Sequence, residues 1–307
     1  MTVEVPQVHV GPEPWPELLT AVEESGCQVV AEIAEADAVV WFGRDPNELV
    51  GRLPERLRWL QVPDAGIEKW VRPEFTDQDF TLTCASGIYG RQVAEHALAL
   101  LLGSFHGLFD YARDTSWTPR VGAVRQLRGA TVLILGGGGI GAALAPLVSS
   151  QGARSIVVTT SGRVVAGADE CASMSAVSDL LPQADAVVLC LPVTPDTKYL
   201  VDSAFLNSMK PDAVVVNVAR GDLVNTDDLL RALDEGVIKG AALDVTDPEP
   251  LPDGHPLFNH ERVIVTPHVA NPGELKKASF VELIRENCRR FVTGSELEAV
   301  VDAKRGY

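Results

Sequence analysis

The sequence predicts an α/β protein of two units, each built on a parallel sheet, with the second sheet doubly wound. Three observations predict it. Short apolar runs alternate with helical stretches along most of the 307 residues, the rhythm of β-α-β units. A glycine-rich turn, Gly136-Gly137-Gly138-Gly139-Ile140-Gly141, joins one apolar run to a helical stretch. Ahead of it, residues 89–114 form one long segment rich in Ala and Leu, suited to a helix running between two units.

In the first unit, residues 8–10, 38–41, 57–62 and 80–84 read as strands, and 16–25 and 46–53 as helices. Residues 117–128 carry Pro119, Gly122 and several polar groups, which suits a connection. From Ala130 the alternation is regular. Strands are expected at 131–135, 155–159, 186–191, 213–218, 240–244 and 263–266, with helices at 140–151, 176–181, 203–209 and 225–236. Parallel strands joined by helices need right-handed crossovers, hence the doubly wound sheet. Residues 273–291 read as one amphipathic helix that returns to the first unit. The expected division is therefore 1–92 with 273–307, and 93–272.

Composition narrows the function. Hydrophobic residues are 46% and charged residues 22%, a globular balance, and the formal net charge is −16. So acidic a chain argues against nucleic acid and against an anionic membrane surface as partners. The longest uncharged apolar run, 97–109, is too short to span a bilayer. The first residues show no basic segment followed by a long apolar one, so no secretion signal is expected. Five scattered cysteines without a C-x-x-C pair suggest neither disulfides nor a metal site. A reducing, cytoplasmic setting is expected.

The glycine turn matches G-x-G-x-x-G at Gly136, Gly138 and Gly141. Gly136 permits the tight turn, Gly138 leaves room for a pyrophosphate, and Gly141 lets helix pack on strand. Gly139 and Ile140 open the helix, whose free N–H groups and positive dipole end face the anion. A strand before and a helix after make this a dinucleotide cradle. The next strand ends Thr159-Thr160-Ser161-Gly162-Arg163, with no carboxylate before Asp169. Hydroxyls and an arginine, Ser161 and Arg163, suit a 2′-phosphate, so NAD(P) is expected with NADP favoured over NAD.

Three later strands end in polar groups: Arg220 in Asn217-Val218-Ala219-Arg220-Gly221, Asp244 followed by Glu249 in Asp247-Pro248-Glu249-Pro250, and His268 in Thr266-Pro267-His268. Ligands bind at such strand ends in parallel sheets. Reduction of a ketone needs a proton donor, for which histidine is suited. A carboxylate can orient it, and a guanidinium can hold a keto acid's carboxylate.

At these residues the sequence resembles the D-isomer-specific 2-hydroxyacid dehydrogenases. The resemblance is close over 127–270 and includes Leu191-Pro192-Val193-Thr194-Pro195-Asp196-Thr197. It extends to Val93-Ala94-Glu95-His96-Ala97 and Asp64-Ala65-Gly66-Ile67-Glu68. It implies a Rossmann domain beside a smaller flavodoxin-like substrate domain, with the active site between them. It also implies a small 2-keto or 2-hydroxy acid substrate and a homodimer. By resemblance, Arg220 binds substrate, His268 donates the proton, and Glu249 pairs with His268. Asp244 would touch the nicotinamide. Leu191, Pro192, Thr197, Val218 and Ala219 would join the cofactor site, and Ala65 and Gly66 the substrate site; Tyr89, by its place just before the long helix, is either a substrate contact or a packing residue. Thr246 stands where the family often has an aromatic residue, and Arg91 and Gln92 where it often has small ones. Glyoxylate/hydroxypyruvate reductases are the resemblance preferred. A phosphoglycerate dehydrogenase-like enzyme and a nucleotide-sensing binding protein on the same scaffold are the alternatives.

Overall fold

The computed structural model describes residues 5–43, 45–117 and 124–302. The chain divides into two compact units, Met1–Tyr89 with Pro272–Tyr307, and Gly90–Asn271.

The first unit holds β1 (Gln7–Gly11), α1 (Pro16–Glu24), β2 (Gln28–Val30), β3 (Ala38–Trp41), β4 (Trp59–Gln61), α2 (Pro73–Thr76) and β5 (Thr81–Thr83). The strands run parallel in the order β2-β1-β3-β4-β5, a flavodoxin-like order. Asp37 secures the amino ends of this sheet. Its carboxylate accepts the Gln7 N–H at 2.8 Å and pairs with Arg56 at 2.6 Å. The helix expected over 46–53 is a single 3₁₀ turn, Pro46–Glu48. The Asp45 side chain accepts the Asn47 N–H at 2.9 Å, a local turn that competes with helix. Gly51 in the left-handed region then ends any continuation. The strand β2 has three residues at the sheet edge, too few to register as an apolar run.

The second unit opens with α3 (Gly90–Phe105) and α4 (Leu108–Arg113) where one helix over 89–114 was expected. The break is at Gly107, φ 62°. It folds Phe109 back over Gly103 so closely that a Cβ on Gly103 would strike the ring. Of the expected connection 117–128, residues 118–123 lie outside the described residues. Beyond them Arg125 pairs with Asp212 at 2.7 Å and lies over the Phe105 ring.

The sheet of this unit comprises β6 (Thr131–Leu135), β7 (Arg154–Thr159), β8 (Glu170–Ser173), β9 (Ala186–Leu189), β10 (Val214–Asn217), β11 (Gly240–Leu243) and β12 (Val263–Val265). All are parallel, in the order β12-β11-β10-β9-β6-β7-β8. The helices between them are α5 (Gly139–Ser150), α6 (Val177–Leu180), α7 (Ser203–Asn207), α8 (Thr226–Asp234) and α9 (Pro256–Asn259). Both faces of the sheet are covered, so strands such as Val214-Val215-Val216 are buried along their length, as parallel sheets require.

The chain returns to the first unit in α10 (Gly273–Thr293). Phe280, Ile284 and Cys288 of α10 share a core with Leu18, Val22 and Cys27. The tail beyond α10 lies along β5, with Cys84 N–H donating to the Ala299 carbonyl and Val301 N–H to that of Leu82. No helix among the described residues is long and apolar enough to cross a membrane.

Candidate active site

In the second unit the residues singled out from the sequence gather at the carboxyl ends of its strands. Strand order reverses direction of travel between β6 and β9, the switch point where such sheets form their ligand crevice. Here the backbone leaves β6 at Gly136 with φ +111°, and a Cβ there would strike the Cys190 carbonyl after β9. Gly141, one turn into α5, lies against the Gly136 carbonyl with no room for a side chain. A Cβ on Gly138 would meet only open space. The turn is thus forced tight at both ends and open in its middle. Gly139 and Ile140 form the first turn of α5 beside it. The residues present fit a dinucleotide pyrophosphate.

At the end of β7, Ser161 is exposed and Arg163 donates to the Gly137 carbonyl at 2.6 Å. The first carboxylate downstream is committed elsewhere. Asp169 Oδ2 accepts from Ser155 N–H at 2.8 Å, from Ser155 Oγ at 2.9 Å and from Ser149 Oγ at 2.7 Å. Those partners lie at the amino end of β7, opposite the cradle.

After β9, Leu191 is buried and Pro192 exposed. Thr197 ties this loop together: its hydroxyl donates to the Pro192 carbonyl at 2.8 Å and accepts Thr194 N–H at 2.7 Å. Burial pushes the neighbouring Cys190 thiol up to about 12. It is therefore a neutral thiol and no nucleophile.

After β10, the fully buried Asn217 shapes the Val218-Ala219-Arg220 turn. Its side chain accepts Ala219 N–H at 3.1 Å and donates to the Arg220 carbonyl at 2.7 Å. Arg220 is half-buried, and its Nη1 donates to the Ala219 carbonyl at 2.7 Å. The next residue, Gly221, packs so closely on the Thr246 carbonyl that a Cβ would collide. That contact seats the Arg220 loop on the loop that carries Glu249.

His268 and Glu249 meet. His268 Nδ1 lies 2.6 Å from Glu249 Oε1, with the two side chains 51% and 43% exposed. With Nδ1 engaged, Nε2 is the ring nitrogen without a hydrogen-bond partner among the described residues. Asp244 follows β11 and is buried, with its carboxylate turned to Thr266, Val269 and Ala270. Sequence reasoning did not single out His96, which stands 3.2 Å from Thr266 Oγ1. An Ala- and Leu-rich helix gives no signal that one of its histidines is so placed.

In the first unit, Ala65 and Gly66 follow β4 at its carboxyl end, with Ala65 exposed. Among the described residues, their amides donate to no other group. Tyr89 is buried, its hydroxyl donating to the Pro63 carbonyl at 3.0 Å. Burial raises its phenol far above the ordinary value, so it acts only as a neutral donor. Trp41 is a core residue, 2% exposed.

A glycine cradle at the switch point, with an arginine and a paired histidine and carboxylate on neighbouring strand ends, defines a nicotinamide-dinucleotide oxidoreductase. Comparison with known proteins makes the class specific. The sequence profile of the D-isomer specific 2-hydroxyacid dehydrogenase NAD binding domain matches residues 96–270. The chain belongs to that family and is an NAD(P)-dependent D-2-hydroxyacid dehydrogenase. It is 38% identical to an uncharacterized protein in the proB 3′ region of Corynebacterium melassecola, over 96% of this chain and 98% of that one. It is 29% identical to a glyoxylate reductase of Thermococcus kodakarensis, over 95% and 90% of the two chains. Among solved structures, a D-isomer specific 2-hydroxyacid dehydrogenase of Xanthobacter autotrophicus in complex with NADPH and MES superposes with a TM-score of 0.84. It is 26% identical, over 99% of this chain and 100% of that one.

Proposed function

We propose that this chain reduces a small 2-keto acid of the glyoxylate and hydroxypyruvate class to the D-2-hydroxy acid, with NADPH preferred over NADH. The observation that carries the reading is the 2.6 Å pair of His268 Nδ1 and Glu249 Oε1 on the same sheet edge as the glycine cradle. Bound at that cradle, the nicotinamide supplies the hydride. Negative charge then develops on the substrate oxygen, and His268 delivers its Nε2 proton there. The Glu249 carboxylate accepts the Nδ1–H, which fixes the orientation of the ring and leaves Nε2 to face the substrate. The Arg220 guanidinium offers paired donors to the substrate carboxylate and carbonyl. The first unit is assigned to the substrate, with the Ala65 and Gly66 amides as carboxylate donors. Tyr89 is assigned to hold Pro63, two residues before them.

The cofactor preference has its own support. Asp169 is held at the far end of β7, which supports assigning the ribose 2′ position to Ser161 and Arg163 rather than to a carboxylate. The glyoxylate/hydroxypyruvate reductase of Sinorhizobium meliloti solved with NADP, 25% identical with a TM-score of 0.82, is described as NADPH-dependent. The family resemblance also supports a homodimer, and the five unpaired cysteines a reducing cytoplasmic setting.

The test is initial rates with glyoxylate, hydroxypyruvate, pyruvate and phenylpyruvate, each with NADPH and NADH. A rate with a small keto acid, faster with NADPH, is expected. A faster rate with NADH overturns the cofactor choice alone. Nucleotide binding without turnover on any pair overturns the reductase and favours a sensor. Arg163→Ala is expected to weaken NADPH binding and leave NADH binding little changed, and equal losses refute the assignment of Arg163.

A further inference from the structure

We infer that Asp244 is a positioning residue that serves the reaction through His268, by anchoring the left-handed turn on which the imidazole stands. The inference rests on the reading of His268 as proton donor.

His268 has φ +51°. A non-glycine residue rarely occupies that region, and it persists there only where the surroundings over-determine it. Here Asp244 supplies most of the surroundings. The His268 N–H donates to the Asp244 carbonyl at 2.8 Å, sharing its proton with the Thr266 carbonyl at 3.0 Å. The next two amides donate to its side chain, Val269 N–H to Oδ1 and Ala270 N–H to Oδ2, both at 3.0 Å. Three successive amides of the turn thus end on Asp244, whose side chain is 1% exposed.

The hydroxyl of Thr266 adds a directed chain. It lies 2.6 Å from Asp244 Oδ1 and 3.2 Å from His96 Nε2. An ionised carboxylate only accepts, so the single Thr266 proton goes to Asp244. The Thr266 oxygen then accepts from His96, which requires the proton of His96 on Nε2. His96 Nε2 also stands 3.4 Å from Asp244 Oδ1 itself, so His96, Thr266 and Asp244 together tie α3 and the end of β12 to the end of β11. Both carboxylate oxygens point into the turn. The family resemblance implies that this side chain also meets the nicotinamide; its protein partners are those of the His268 turn.

The experiment compares Asp244→Asn, Thr266→Val and Thr266→Ser. Asp244→Asn keeps size but sets an amide donor where an N–H must be accepted. The expected result is a fall in kcat of about 10²-fold, the scale of a misplaced catalytic group, with NADPH affinity by fluorescence little changed. Thr266→Val is expected to lower kcat less, and Thr266→Ser to restore it. A loss confined to NADPH affinity, with kcat at saturating cofactor unchanged, overturns the inference and returns Asp244 to the nicotinamide. If Asp244→Asn does not fold, the Thr266 pair decides: equal kcat in Val and Ser variants overturns the chain. The anchor is also read without turnover, by hydrogen exchange of the Val269 and Ala270 amides. Faster exchange in the variants supports it and unchanged exchange overturns it, whereas a wild-type enzyme inert to every keto acid fails the function and not the anchor.

Discussion

The polar cluster of the first unit and that of the second differ in what each leaves open. In the first, the fully buried Gln61, Thr83 and Asn287 form a closed set. Trp59 Nε1 donates to Thr83 Oγ1 at 2.7 Å, and Thr83 donates to Gln61 Oε1 at 2.8 Å. Asn287 donates to Gln61 Oε1 at 3.1 Å and to the Glu298 carbonyl at 3.2 Å, and accepts Glu298 N–H at 2.7 Å. Every member is neutral and fully buried. In the second, a buried carboxylate holds a strained turn, and the His268–Glu249 pair at its tip is half-exposed. The closed cluster fastens α10 and the tail to β4 and β5. The open one gives up backbone comfort to present an imidazole. Buried polar groups that satisfy one another specify a fold, whereas polar groups held exposed on strained backbone point to chemistry.

The comparison is broken most directly at its open end. His268→Ala is expected to lower the rate of reduction by about 10²- to 10⁴-fold, the range of a lost general acid. The side chain is 51% exposed, so thermal unfolding is expected to shift by about 0.5 kcal/mol or less. Cofactor binding is expected to persist. Wild-type rates in this variant refute the proton-donor role, and a large loss of stability refutes the contrast between clusters.

At the closed end the effects exchange places. Asn287→Ala removes two donors and an acceptor from a fully buried site. Each buried group left unsatisfied costs about 1–3 kcal/mol, so a loss of roughly 2–4 kcal/mol is expected in urea unfolding. The kcat of the molecules that remain folded is expected to change little. A drop in kcat without a drop in stability contradicts the fastening role.

These two clusters also mark where the sequence is legible. The strands of the second unit read clearly because, covered on both faces, they are continuous apolar runs such as Val214-Val215-Val216. Arg220, Glu249 and His268 stood out because each follows such a run closely. The strand β8 did not read, because Glu170-Cys171-Ala172-Ser173 is an edge strand with no buried residue. The break at Gly107 was hidden by apolar residues on both sides of it. The left-handed turn at His268 carries no glycine or asparagine to announce it. The Gln61–Asn287 bond joins residues 226 positions apart, and no local pattern encodes a contact of that span.

A smaller effect separates the units by pH. For Asp37, burial alone would raise the carboxyl, but the Gln7 amide and the Arg56 guanidinium outweigh it and hold it below the ordinary value. Asp169 is also lowered, first by the Ser155 amide and then by the Ser149 and Ser155 hydroxyls. A carboxylate held below its unfolded value contributes fully above that value, about pH 4. The contribution is lost as pH falls through the folded value. Stability is therefore expected to decline with acid below about pH 4. Asp37→Asn is expected to flatten that decline more than Asp169→Asn, because Asp169 is the more solvated of the two. The reverse ranking in acid titrations of unfolding would show that solvent screening does not separate them.

The smallest effect sharpens the comparison most. Arg154 and Glu170 pair across β7 and β8 at 2.6 Å, as short as the His268–Glu249 contact, and are 46% and 51% exposed. By distance and exposure the two pairs are nearly equal. They differ in backbone: Arg154 and Glu170 stand on regular extended strands, at the amino end of the sheet. An exposed pair of this kind is worth about 0.2–1 kcal/mol, and less in salt. Arg154→Ala is expected to cost about 0.5 kcal/mol at low salt and to leave kcat and NADPH affinity unchanged. Glu249→Gln keeps the size of the side chain and is expected to cost no more stability than Arg154→Ala while lowering kcat well below wild type. If both variants leave turnover intact, Glu249 takes no part in the reaction and its pair with His268 is no more than a second surface pair.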